Sequence, residues 1–193
     1  MIVGITGGIG SGKSTLSAKL REAGFSVYDT DAAARRLQNE NVEIKNNIIA
    51  LFGAEAYTDN VLNRSYIAGI VFNQPELLRK LNLIVHPAVR VDFKKWSEQL
   101  NSENMLFLEC AILFEGEFYK LVDKIILVTA PQSVRIQRVI KRDGVTERQV
   151  LERINNQLSD AEMASKSDLI IDTSVTDIHK LEISSFLSGL KNE

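Results

Sequence analysis

The sequence predicts an α/β fold, with a core built on a five-stranded parallel sheet, a helical insert and a helical lid. Three observations carry that prediction. A short apolar run at the N-terminus passes through a glycine-rich stretch into a segment of helical spacing. A nearly continuous apolar run, Met105 to Glu115, suits a central parallel strand covered on both faces. Between the two lies an excursion of about sixty residues that is mostly helical in pattern and too long for an ordinary connection.

The first strand is read over Met1 to Thr6. It leads into Gly7-Gly8-Ile9-Gly10-Ser11-Gly12-Lys13-Ser14, which fits G-x-x-x-x-G-K-[ST], the Walker A phosphate-binding loop, and makes the core a P-loop NTPase core. Glycines let the loop backbone take positive φ and come close to an anion. Backbone N–H groups then face phosphate oxygens, and the following helix adds its partial positive charge. Lys13 can reach the β- and γ-phosphates of ATP, and the Ser14 hydroxyl can ligate Mg²⁺. Gly8, Gly10, Ser11, Gly12, Lys13, Ser14 and Thr15 are therefore the candidate nucleotide-binding residues. The helix runs from Thr15 to Ala23, with Leu16, Leu20 and Ala23 on one face and Gly24 to end it.

Phe25 to Tyr28 reads as the second strand, ending in Asp29-Thr30-Asp31, with a helix from Ala32 to Gln38. Ligands of parallel α/β sheets bind beyond the carboxyl ends of the strands. Asp31 and the phosphate loop are expected at such ends, on adjacent strands. Asp31 then either accepts the proton of an attacking hydroxyl or caps the helix.

Residues 42–103 read as the helical insert, with 1–41 and 104–193 as the core. Ile44, Ile48, Leu51 and Phe52 suit one helix, and Tyr57-Thr58-Asp59-Asn60 marks a break. Helices follow over Asn63 to Val71, Pro75 to Val85 and Val89 to Leu100, with no clear strand. Pro87 fits the first turn of the last of these. His86 beside it is either a structural hydrogen-bonder or a substrate contact. Trp96, at helical spacing from Val89 and Phe93, reads as core.

Glu109 interrupts the apolar run near its C-terminal end. Burying a lone carboxylate is costly, so it should reach a cation or the mouth of the site. It could act through water on Mg²⁺, as a Walker B acid does, or sit as an edge glutamate. Asp123 to Val128 is the fourth strand, and Pro131 opens a helix through Arg142. Arg135, Arg138 and Arg142 share a face, at i, i+3 and i+7. They suit a lid, about 132–158, closing over phosphates. The alternative is a solvated face paired to Asp143, Glu147 and Glu152. Thr146 could cap the next helix, to Leu158, and Asp160 to Lys166 is a short helix or loop. Asp168 to Asp172 is the fifth strand, Asp172 to Ser174 are candidate base contacts, and a closing helix runs from Thr176 to Leu190. His179 reads as a surface residue.

Net charge is −2, which gives no electrostatic case for nucleic acid or an anionic membrane as partner. Hydrophobic residues make up 45% and charged residues 25%, as in ordinary globular proteins. Cys110 is the single cysteine, so no intrachain disulfide is possible, and a cytoplasmic location is expected. No apolar stretch approaches the ~20 residues of a membrane helix.

With these residues in view, the chain resembles the dephospho-coenzyme A kinase family from end to end. Thr6 to Thr15 looks like that family's phosphate loop, and Asp29-Thr30-Asp31 is similar to its D-x-D at the end of strand two. Leu81-Asn82 followed by His86-Pro87 resembles its L-N…H-P element, and Ile112-Leu113-Phe114-Glu115 its P-L-L-F-E segment. Arg138 to Asp143 is similar to its lid, and Arg153-Ile154 with Gln157 to the helix after it. Ala111 stands where the family usually has Pro, and Asp172 where it usually has Asn. A carboxylate cannot donate to a base as an amide does.

The resemblance implies transfer of the ATP γ-phosphoryl group to the ribose 3′-hydroxyl of the small-molecule substrate dephospho-coenzyme A. It implies Asp31 as the group that orients or deprotonates the acceptor, with Lys13, Arg138 and Arg142 balancing charge and Arg142 also on the nucleotide. It implies His86 and Asp31 at the substrate, and Ser14 with Glu109 at the metal. Another small-molecule kinase of the same fold is the nearest alternative, since fold does not fix the acceptor. A GTPase switch is disfavoured, because neither N-K-x-D nor D-x-x-G occurs. A catalytically dead scaffold is disfavoured by the intact Lys13, Ser14, Asp31 and lid arginines.

Overall fold

The structure is a computed structural model, and it describes residues 1–72, 74–100, 103–178, 181 and 185–188. The chain divides into two compact units. One comprises Met1–Asp29 with Ser102–Glu193, and the other is Thr30–Asn101.

The first unit is built on a five-stranded parallel sheet. Its strands are β1 (Ile2–Thr6), β2 (Ser26–Asp29), β5 (Leu106–Glu109), β6 (Lys124–Thr129) and β7 (Leu169–Asp172), in the spatial order β2-β5-β1-β6-β7. All four ladders are parallel. β5 therefore lies between β1 and β2, which are not adjacent as the sequence reading had them. The burial pattern explains the order. All four residues of β5 are buried, as an interior strand requires, whereas β2 is buried at Tyr28 alone and takes the edge. β5 is also shorter than the apolar run Met105 to Glu115, because the chain turns away after Glu109 into the loop that carries Leu113.

Helix α1 (Lys13–Glu22) lays Leu16 and Leu20 on the sheet, where they meet Val3, Ile5, Phe107, Ile126 and Val128. On β1, Gly4 leaves room for Leu113, whose methyl group lies 3.2 Å from where a Cβ would stand. Gly24 ends α1 in a left-handed conformation, φ 88°, and its N–H donates to the Arg21 carbonyl. α6 (Gln132–Asp143) and α7 (Glu147–Asn155) join through Ile136, Val139 and Val150, and Ile9 of the glycine-rich loop packs into that cluster. Thr146 starts α7 with a capping box to Gln149, and Ser159 starts α8 (Asp160–Ala164) with one to Glu162.

The second unit holds α2 (Thr30–Glu40), α3 (Val42–Phe52), α4 (Arg64–Val71) and α5 (Pro75–Gln99). α2 begins at Thr30, earlier than the Ala32 read from sequence. α5 packs against the other three helices through Leu81, Val85, Val89 and Phe93. Those residues repeat every fourth position, so one apolar stripe passes straight through Pro87. Pro87 therefore lies inside a continuous helix rather than starting a new one, and tertiary packing outweighs the missing N–H bond to the Leu83 carbonyl. Arg36 and Asp92 tie α2 to α5 at 2.6 Å.

The expectation of no strand in this unit is also corrected. β3 (Tyr57–Thr58) and β4 (Val61–Leu62) form a small antiparallel hairpin. Its turn residues Asp59 and Asn60 have φ of 50° and 65°, the pair of positive values that two-residue hairpin turns favour. The Tyr57 hydroxyl donates to the Gln38 carbonyl, and burial pushes its pKa up to about 12. The closing helix expected from Thr176 to Leu190 falls partly outside the described residues, as does His179.

Candidate active site

The loop after β1 is shaped by close backbone approach. Gly7 has φ 146°, and a Cβ there would run into the Val128 carbonyl oxygen of β6, so only glycine fits. Gly12, in a left-handed conformation, opens α1 at Lys13. Lys13 Nζ donates to the Gly7 carbonyl at 2.6 Å and the Gly8 carbonyl at 3.1 Å, which holds the ammonium within the loop's own curve. Ser11 is fully buried, and its Oγ finds no hydrogen-bond partner.

Ser14 Oγ donates to Glu109 Oε1 at 2.8 Å. Sheet register explains the meeting. Ile5, Asp29 and Glu109 lie level at the carboxyl edge, since Glu109 pairs with Ile5 on one side and Asp29 on the other. Glu109 is 8% exposed, so its carboxylate is withdrawn from water and turned to the loop. This hydroxyl–carboxylate pair is a hard oxygen donor set suited to Mg²⁺. Among the described residues no group of three or more His, Cys, Asp or Glu could hold a metal.

The three arginines of α6 take three different partners. Arg138 donates from Nη1 to Thr173 Oγ1 at 2.7 Å and from Nη2 to the Thr173 carbonyl at 3.1 Å. Its Nη1 also lies 3.4 Å from the Gly10 carbonyl. Arg142 donates bidentately to the carboxylate of Asp143, its neighbour in sequence, and its side chain is 62% exposed. The Arg142 hydrogen bonds hold the Asp143 carboxyl below its ordinary range, with help from Arg153. Arg135 is buried and pairs with Asp160 at 2.9 Å.

Beside α1 a cavity of about 440 Å³ is lined by Gly12, Thr15, Arg138 and residues 173–178. Thr173 Oγ1 lies 2.8 Å from the Ser11 carbonyl, so this turn is bonded to the phosphate loop. Asp172 does not line the cavity. Its Oδ1 accepts from the Ser174 N–H and hydroxyl, which lower the Asp172 pKa.

The model of the family Dephospho-CoA kinase matches residues 1–177. The chain belongs to the dephospho-CoA kinase family. A dephospho-CoA kinase of Salinibacter ruber is 40% identical over 177 residues, covering 90% of this chain and 89% of the relative. A crystal structure from Thermus thermophilus superposes with a TM-score of 0.81 at 33% identity, over 98% of this chain and 97% of that one. The dephospho-CoA kinase of Campylobacter jejuni gives a TM-score of 0.66 at 25% identity, over 97% of this chain and 92% of that one.

Within this kinase of P-loop fold, Asp31 lies in the first turn of α2, two residues past the end of β2, and belongs to the second unit. His86 lies on α5, half-buried. Burial lowers its pKa from 6.5, and the Arg90 charge lowers it further, so the ring is neutral near pH 7. Thr173 is among the candidate base contacts read from sequence, whereas Asp160 is not a site candidate there, nor is Gln157, whose Oε1 accepts from the Ile9 N–H at 2.9 Å. Distance along the chain from the loop hid the latter two. Gln157 alone carried a signal, in the helix motif that follows the lid.

Proposed function

We propose that this chain transfers the γ-phosphoryl group of ATP to the ribose 3′-hydroxyl of dephospho-coenzyme A, giving coenzyme A and ADP. The observation that carries the reading is the Walker A loop with Ser14 bonded to buried Glu109, at the carboxyl edge of the sheet, in a chain of this family.

Loop amides and Lys13 bind the β- and γ-phosphates. Ser14 and Glu109 are the residues that would hold Mg²⁺. Held there, Mg²⁺ would supply positive charge against the phosphates. Asp31 orients the acceptor hydroxyl and takes its proton as the oxygen attacks the γ-phosphorus and the bond to the β–γ bridging oxygen breaks. Arg138 and Arg142 balance charge on the transferring group, Arg142 leaving Asp143 to do so. His86 contacts the acceptor in its neutral form, and Thr173 to Ser174 border the base. Residues 42–103 serve as the acceptor-binding insert and 132–158 as the lid. Among the described residues no helix is long and apolar enough to cross a membrane, and the reading includes a cytoplasmic location.

The test is ADP release with ATP and Mg²⁺, comparing dephospho-coenzyme A with adenosine, AMP and no acceptor. Turnover with dephospho-coenzyme A alone, with coenzyme A identified by mass, is the expected result. Silence with it and turnover with another acceptor would overturn the substrate assignment and leave the P-loop chemistry standing.

A further inference from the structure

Arg135 is the one lid arginine withdrawn from solvent, with its side chain 5% exposed. A cation so buried needs a reason, because an unpaired buried charge is costly. Its Nη2 donates to Asp160 Oδ2 at 2.9 Å, while its buried Nε has no hydrogen-bond partner. Its Nη1 occupies the space over Gly8, where any Cβ would collide with it. Its own carbonyl oxygen sits 2.6 Å from where a Cβ on Gly10 would stand. The residue between, Ile9, has its N–H held by Gln157 and its side chain packed among Ile136, Val139 and Val150. One arginine thus covers both glycines of Gly8-Ile9-Gly10, and Asp160 on α8 fixes where its guanidinium lies.

We propose that Arg135 is a positioning residue for nucleotide binding. Anchored by Asp160, it clamps Gly8 and Gly10 so that the loop amides already face phosphate before ATP arrives. A side chain on Gly8 would have to displace the guanidinium. The clamp acts on the phosphates and not on the acceptor, so its loss weakens ATP binding selectively. This inference rests on the reading above only in its choice of acceptor, because ATP binding can be measured without one.

The experiment measures ATP affinity by calorimetric titration of Arg135→Gln, Arg135→Lys, Asp160→Asn and the Arg135→Gln/Asp160→Asn pair. KM for ATP and for dephospho-coenzyme A are measured alongside. Arg135→Gln should weaken ATP binding about tenfold, leaving KM for dephospho-coenzyme A unchanged. Asp160→Asn, at a 40%-exposed side chain that any fold tolerates more readily, should shift the same parameter in the same direction. The pair should be no worse than Arg135→Gln alone, since Asp160 acts through Arg135. Arg135→Lys should recover part of the loss, as it restores charge without the planar fork. Unchanged ATP affinity in folded Asp160→Asn, additive losses in the pair, or equal rises in both KM values would overturn the proposal. Absence of turnover with dephospho-coenzyme A in the parent chain would sink the substrate assignment alone, and the ATP titrations would still decide the role of Arg135.

Discussion

Ser14 Oγ and Glu109 Oε1 stand 2.8 Å apart, joining the end of the Walker A motif to the last residue of β5. Under the proposed function this hydroxyl and this buried carboxylate would together hold Mg²⁺. Glu109→Gln keeps an oxygen for Ser14 and removes the charge. The Mg²⁺ concentration for half-maximal ADP release should rise about 10–100-fold, with the thermal midpoint little changed. A magnesium titration at saturating ATP checks this, and an unchanged requirement would leave Glu109 a structural partner of Ser14.

Asp31→Asn removes the proton acceptor assigned to the acceptor hydroxyl while keeping the side chain's size. kcat should fall by roughly 10²–10⁴ with ATP affinity unchanged. Steady-state kinetics with a parallel ATP titration separates the two quantities. A retained kcat would leave Asp31 a first-turn carboxylate of α2 with no part in the chemistry.

Thr173→Val deletes the oxygen that receives Arg138 Nη1 and the hydroxyl beside the buried loop at Ser11. The loss of stability should be about 0.5–1.5 kcal/mol by urea unfolding, since the part-buried Ser11 and Thr129 carbonyls lose a donor. KM for ATP should rise in the same variant because Arg138 loses its anchor. A stability loss with KM for ATP unmoved would detach Arg138 from the nucleotide.

His86 sets a pH dependence whose direction follows from its depressed pKa. Its folded value lies below 6.5, lowered by burial and then by Arg90. On acidification the unfolded chain takes up the proton first, so the stability linked to His86 is present above pH 6.5 and lost as pH falls through the folded value. Thermal midpoints of the parent and His86→Gln, followed from neutral pH to pH about 5, should converge as this contribution disappears. A constant difference between the two would show that protonation of His86 is not linked to folding.

Local chemistry was legible where the chain makes its structure from neighbours. The glycine-rich loop, α1 behind it and the Gly24 stop depend on backbone conformation over a few adjacent residues. The capping box at Thr146 is of the same kind, while the one at Ser159 falls where the sequence was read only as a short helix or loop. The Asp59-Asn60 turn was legible only as a break, because strands of two residues show no alternation, although its paired positive-φ residue types carried a hairpin signal. Pro87 misled because a rule about helix starts was applied where a packed stripe from Leu81 to Phe93 decides the matter.

By itself the sequence determined the α/β class, the phosphate loop, the five strands and the family, since each is written in contiguous residue types or in their order. Only the tertiary structure decided that β5 separates β1 from β2 and brings Glu109 to Ser14, because strand order depends on which strand can be buried on both faces. It alone decided the lid arginines. Arg135 and Arg142 share a helical face, yet they lie about 10 Å apart along the axis. One therefore rests on Gly8 against Asp160, and the other pairs with Asp143. Helical spacing says which side chains point the same way, and packing says what each of them meets.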